Sequence, residues 1–213
     1  RSTARKAHAA SSSSASVNVA YALIKRGSSR DGLTVIAKGD PPFCITEKQL
    51  ALWGLSVGQE LDETQYRRIK DLKQQDDCMT KALSFLALRE HTALELSQKL
   101  SARGFPKELV RQTISVLQQD GSLSEKRYAE VLVRSRQRRN PEGKSLLVQR
   151  LQAKGVSHED ACEAVEEAFE ECGDAYLKQA YEEARRATGD REKLMMRLLR
   201  KGFTYQDIKR MES

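Results

Sequence analysis

From residue 77 onward, apolar residues recur every three to four positions, and short Gly-, Ser- and Thr-containing breaks separate the runs. That period predicts a succession of amphipathic helices. They are expected over 77–89, 92–103, 106–119, 124–139, 143–154, 158–172, 174–187, 190–201 and 204–212. Thr92, Ser124 and Ser157 stand where N-caps belong. Gly104, Gly121, Gly155, Gly173, Gly189 and Gly202 stand where helices stop. Upstream the pattern changes. VNVAYALIKR (17–26) and LTVIAKG (33–39) flank a turn-rich GSSRDG, and FCIT (43–46) follows a Pro-Pro break. These β-branched, apolar runs predict a hairpin and a third short strand. Thr46 with Gln49 reads as a capping box for a helix ending at Gly54, and Asp62 can cap the next helix. Residues 1–16 are basic and Ser/Ala-rich, and are expected to form a disordered tail.

One phrase returns three times, as QKLSARGFPKELV (98–110), QRLQAKGVSHEDA (149–161) and MRLLRKGFTYQDI (196–208). Aligned on Gly104, Gly155 and Gly202, it has Leu96, Leu147 and Leu194 eight residues before the glycine and Leu100, Leu151 and Leu198 four before. Arg103, Lys154 and Lys201 immediately precede the glycine, Phe105, Val156 and Phe203 follow it, and Val110, Ala161 and Ile208 stand six after. The leucines form an inward i, i+4 stripe. Glycine takes the left-handed turn, and the basic residue suits the negative helix end. The phrase therefore encodes a helix–tight turn–helix corner, and each corner is preceded by another helix. The fold expected is mainly α, with three tandem three-helix repeats (77–121, 122–172 and 173–213) stacked in an elongated curved array. A small β-hairpin or sheet with short helices occupies 17–76.

Composition adds a charge pattern. The formal net charge is +7. Residues 124–154 hold nine basic and three acidic side chains, whereas residues 155–192 hold four basic and twelve acidic ones. Alternation on this scale suits docking on a large charged assembly. Cys44, Cys78, Cys162 and Cys172 form no CxxC pair and have no histidines at zinc-ligand spacing, so reduced thiols and no metal are expected. No apolar run approaches the length of a membrane span. The apolar stretch after the basic tail is short, contains Asn18 and closes with Lys25 and Arg26, which favours a cytoplasmic location over export. No phosphate loop, HExxH or GxSxG appears, so neither catalysis nor a cofactor is expected. His91, at a helix junction, is expected at the surface. Trp53, Phe85, Phe105, Tyr128, Phe169 and Phe203 are expected in the core.

The tandem units, with ELSQKLSARGF in the first and LLVQRLQAKGV in the second, resemble the RecX family, bacterial regulators of the RecA recombinase. ALSFLALREHTALEL (82–96), DGSLSEKRYAEVLVRSR (120–136) and LALWGLSVGQEL (50–61) extend the resemblance. The family commonly has Asp where Ser124 or Glu125 stands here. The resemblance implies a regulator that binds the RecA–DNA filament in its groove. It would inhibit strand exchange, ATP hydrolysis and coprotease activity, and so restrain recombination and the SOS response.

The densest basic stretch, VRSRQRRNPEGK (133–144), supplies Arg134, Arg136, Arg138 and Arg139 as candidate partner contacts, with Lys144, Arg150 and Lys154 beyond them. Arg197, Arg200 and Lys201 are candidates in the last unit. Arginine suits carboxylates and phosphates alike. The bland alternative for each is a solvated charge near a helix C-terminus, and for Lys154 and Lys201 a structural role at the corner. The acidic run EDACEAVEEAFEEC (159–172) reads as an amphipathic helix with a solvated outer face. A helical DNA-binding module with nonspecific phosphate contacts is the alternative function. PKEL, SHED and TYQD after the corners are acidic or mixed, which is poor for reading bases. A monomer is expected.

Overall fold

A computed structural model describes residues 21–27 and 32–212. The expected tail, the start of the first strand and the hairpin turn at 28–31 lie outside the described residues. The chain divides into two units, residues 1–73 and 74–213.

The first unit is an antiparallel sheet with strand order β3-β2-β1-β4. Its strands are β1 (Ala22–Arg26), β2 (Gly32–Ala37), β3 (Phe43–Thr46) and β4 (Glu60–Leu61). Ile24 pairs with Val35, and Leu33 with Ile45. Alternation in β1 and β2 sends Ala22, Ile24, Leu33 and Val35 into one core. The short helix α1 (Glu47–Leu52) opens with the expected Thr46–Gln49 capping box. The two-residue β4 has no signal in the hydrophobic pattern.

Helix α2 (Glu63–Leu86) begins in this unit and is continuous across residue 77, where a separate helix is expected. Tyr66 and Ile69 join the sheet core. Asp40 accepts hydrogen bonds from the Tyr66 hydroxyl (2.9 Å) and the Lys70 ammonium (3.0 Å). Burial and the Asp40 carboxylate push the Tyr66 pKa up to about 12.

The second unit contains the repeats. The end of α2, with α3 (Ala93–Ser101) and α4 (Lys107–Gln119), forms the first. Helices α5 (Glu125–Arg139), α6 (Lys144–Ala153) and the first half of α7 (His158–Ala187) form the second. The rest of α7, with α8 (Arg191–Arg200) and α9 (Tyr205–Glu212), forms the third. Every stripe leucine of the repeated phrase is buried, as are Val110, Ala161 and Ile208. Each corner closes alike. The amides of Phe105, Val156 and Phe203 donate to the carbonyls of Leu100, Leu151 and Leu198 at 3.4, 3.1 and 3.2 Å. Gly104, Gly155 and Gly202 have φ near +90°, +90° and +85°, which L side chains rarely adopt.

The expected stop at Gly173 does not occur. Helix α7 runs through it for 30 residues. A helical glycine costs about 1 kcal/mol relative to alanine. Here Phe169 lies across Gly173, meets Tyr176 edge-on at 5.6 Å, and belongs to the cores of both the second and third repeats. Packing on both sides of the glycine outweighs its local preference. Gly189 does not adopt positive φ either. Of the expected core aromatics, Tyr128 and Phe203 are buried, whereas Trp53, Phe85, Phe105 and Phe169 are half-buried.

The repeats are joined by one recurring contact. Twelve residues before each corner glycine stands the N-cap of the repeat's second helix: Thr92, Gly143 and Asp190. The Thr92 hydroxyl donates to the Lys154 carbonyl at 2.8 Å, and the Gly143 amide donates to the Lys201 carbonyl at 2.7 Å. The corner of one repeat thus sits on the helix N-terminus of the repeat before it. Carbonyls orphaned at a helix C-terminus meet donors at a helix N-terminus, which satisfies both. The fit is close: a Cβ on Gly155 would lie 2.9 Å from Leu94, and one on Gly202 would lie 2.7 Å from Leu146.

Candidate partner-binding surface

The loop between α5 and α6 determines where the basic residues point. Asn140, Pro141 and Gly143 interrupt the helical pattern, and Glu142 falls between them. Buried Gln137 holds this loop, accepting from the Glu142 amide at 2.8 Å and donating to its carbonyl at 2.9 Å. The Glu142 side chain is only 2% exposed. It accepts from Arg136 Nη2 and from Arg150 Nε, each at 2.7 Å. A buried carboxylate is stable only when paired, and here two guanidiniums pair it.

A second carboxylate repeats the device. Glu95, in the first turn of α3, accepts from Arg89 (3.0 Å), Lys154 (3.2 Å) and the Tyr128 hydroxyl (3.3 Å). Burial raises the Glu95 pKa, but the hydrogen bonds from Lys154 and Arg89 outweigh it and hold the carboxyl below its ordinary value. Burial, with Glu95 alongside, pushes Tyr128 up.

These pairs border a groove over α5. One cleft of about 280 Å³ is lined by Arg89, Glu90, Tyr128, Val131, Leu132, Ser135 and Arg136. A second of about 220 Å³ shares Leu132 and Arg136 and continues to Arg150, Ala153 and Lys154. The floor is apolar and the rim is largely cationic, with Val131 half exposed. Arg136 Nε is buried without a hydrogen-bond partner among the described residues.

Of the sequence candidates, the groove brings together Arg136, Arg150 and Lys154. Lys144 is turned away from it, pairs with Glu166 on α7 and lies 5.5 Å from the Phe169 ring centroid. Lys201 pairs with Glu183 at 3.0 Å. Arg134, Arg138, Arg139, Arg197 and Arg200 are exposed and form no ion pair among the described residues. Arg134 borders a different cleft, beside Glu130, Glu167 and Glu171. The acidic run on α7 is not wholly solvated, because Glu163 and Glu167 pair with Lys126 at 2.7 and 3.4 Å.

Sequence reasoning missed Arg89, Glu95, Tyr128 and Glu142 as members of this surface. A lone acid inside a basic stretch, flanked by proline and glycine, was the available signal for Glu142. His91, expected at the surface, is buried. Its Nδ1–H donates to the Arg89 carbonyl (2.9 Å), and Nε2 accepts from Lys99 (2.7 Å), which makes it the neutral tautomer. Burial lowers its pKa accordingly. Among the described residues no cluster of side chains could hold a metal, and no helix is long and apolar enough to cross a membrane.

The comparisons with known proteins converge on one family. Residues 78–117 match the family model described as RecX, first three-helix domain, and residues 124–165 match RecX, second three-helix domain. The regulatory protein RecX of Halorhodospira halophila is 36% identical over 136 residues, covering 60% of this chain and 81% of that protein. The regulatory protein RecX of Streptococcus sanguinis is 26% identical over 170 residues, and this chain covers 78% of itself and 66% of that longer protein. A crystal structure of regulatory protein RecX superposes with a TM-score of 0.70 at 23% identity, covering 87% of this chain and 95% of that one, and so matches the fold. With the tandem corners, the chain belongs to the RecX family of regulatory proteins.

Proposed function

We propose that this chain binds RecA–DNA filaments and restrains RecA's recombinase, ATPase and coprotease activities, and through them recombination and the SOS response. Membership in the RecX family carries this reading. The groove over α5 supports it. An apolar floor with a cationic rim suits a protein segment that presents an apolar residue among carboxylates. Arg136, Arg150 and Lys154 are held from beneath, so little side-chain entropy is lost on contact. The chain acts as a monomeric, cytoplasmic regulator without catalysis or a cofactor.

The test is DNA-dependent ATP hydrolysis by preformed RecA filaments, titrated with this chain. Inhibition below one chain per RecA subunit is expected, and undiminished hydrolysis at a twofold excess would refute the reading. A second reading, a DNA-binding module, is favoured by the five arginines that form no ion pair among the described residues. Against it, the helices after the three corners carry Glu108, Glu159, Asp160 and Asp207 in their first turns, where phosphates would be repelled. Tight binding to bare DNA that collapses between 50 and 200 mM salt (the regime of about 10³-fold loss for six phosphate contacts) would favour the module.

A further inference from the structure

Two of the three corners are filled, each by a helix N-terminus of the preceding repeat. Among the described residues nothing fills the first. A Cβ added at Gly104 would meet none of them within 4 Å. The Arg103 carbonyl, equivalent to the carbonyls of Lys154 and Lys201, receives no backbone donor among the described residues. The charge around it also meets no carboxylate among the described residues, although Lys99 donates to His91. Lys81, Lys99 and Arg103 lie 5.1, 4.9 and 6.0 Å from the single Phe85 ring centroid, and none forms an ion pair among the described residues. At the second corner the corresponding cation, Lys154, meets Glu95 from the first turn of the docked helix.

We infer that the first corner is a socket for the N-terminal turn of a helix from a different protein, one with Thr, Ser or Gly at its cap and a carboxylate three residues later. The cap donor would satisfy the Arg103 carbonyl, as Thr92 and Gly143 satisfy theirs. The carboxylate would answer Arg103, Lys99 and Lys81, as Glu95 answers Lys154. A second copy of this chain fits poorly. Its free equivalent is the start of α8, where the Asp190 carboxylate already caps Glu192 and Lys193, and the Asp190 amide donates to Thr188. That carboxylate would face the Arg103 carbonyl, and Lys193, where Glu95 stands in α3, would face three cations.

The probe is a lactam-stapled, N-acetylated peptide copying residues 91–104, titrated into the full ¹⁵N-labelled chain. Saturable shifts are expected at the Gly104 and Phe105 amides. Glu95→Lys in the peptide is expected to weaken binding about fivefold. Arg103→Glu in the chain should do the same, and the two changes together should restore binding. Arg103 is exposed, so its variant keeps the fold. Absent shifts, shifts centred on Gly155 instead, or failure of the charge swap would overturn the socket. Sedimentation velocity runs alongside, and a dimer abolished by Arg103→Glu would overturn the assignment to a different protein.

Discussion

Gly143→Ala isolates the contact that joins the second repeat to the third. Gly143 has φ near −76°, so alanine is conformationally acceptable and only the surroundings object. A Cβ there would fall on the Gly202 carbonyl and 2.5 Å from the Phe203 nitrogen. These are backbone atoms of a closed corner and cannot move aside by rotating a side chain. The corner must therefore lift away. Lifting loses the bonds from the Gly143 amide to Lys201 and from Ser145 to Gly202, about 1 kcal/mol each. Overpacking adds about 1–3 kcal/mol, and the stiffer unfolded chain returns about 0.4–1 kcal/mol. The net destabilisation is about 3 kcal/mol, or roughly 10 °C in melting temperature for a domain of this size. Thermal unfolding by circular dichroism measures it, and hydrogen exchange should report faster opening of α8 and α9 than of α3 and α4. Gly189→Ala is the control, because that glycine has open space around it and no positive φ. If the two variants melt within 1 °C of each other with equal α8–α9 protection, the corner contact does not hold the repeats together.

Three further outcomes are expected. Glu142→Gln removes the charge shared by Arg136 and Arg150, which are themselves well exposed, so the loss is set at about 1–2 kcal/mol rather than the full cost for a buried pair. Urea unfolding checks this, and an unchanged midpoint would sink it. His91 has a lowered folded pKa against an ordinary value of 6.5, so its contribution is complete above 6.5 and fades as pH falls and the unfolded chain takes up the proton. His91→Gln should flatten the decline in melting temperature between pH 7 and 5.5, and an identical slope in both proteins would refute the assignment. Neutralising Arg134, Arg138 and Arg139 to Gln should leave the melting temperature within about 2 °C, since each is exposed and forms no ion pair among the described residues, while weakening inhibition of RecA ATP hydrolysis at least tenfold. Undiminished inhibition would remove these three from the contact.

The corners were legible because their signals are local. Leu96 with Leu100, and the matching pairs in the other repeats, lie one turn apart, and the glycine that follows has one conformational reason to be there. What joins the repeats was not legible. Thr92 reads as an ordinary N-cap, and nothing in the sequence indicates that its hydroxyl also reaches a carbonyl 62 residues away. Gly143 reads as a loop residue, although its missing Cβ makes room for Gly202. The long helices α2 and α7 each read as two because a local rule, such as glycine stopping a helix, competes with tertiary packing that only the fold displays. The candidate surface was half legible for a similar reason. Counting charges along α5 finds arginines, but which are held and which are free depends on Glu95 and Glu142, whose burial is a property of the packed chain.

The unbroken α7 acts as a ruler. It leaves the second repeat near Glu166, which Lys144 holds at the start of α6, and it leads to the corner at Gly202, which returns to Gly143 at the start of the same helix. The chain therefore closes a ring whose circumference includes a fixed number of helical residues. Inserting one residue anywhere along the middle of α7 would advance everything beyond it by 1.5 Å and turn it by about 100°, presenting the wrong side of the third repeat to Gly143. Surface loops in this molecule can absorb a change in length, whereas this helix can absorb none without opening the ring.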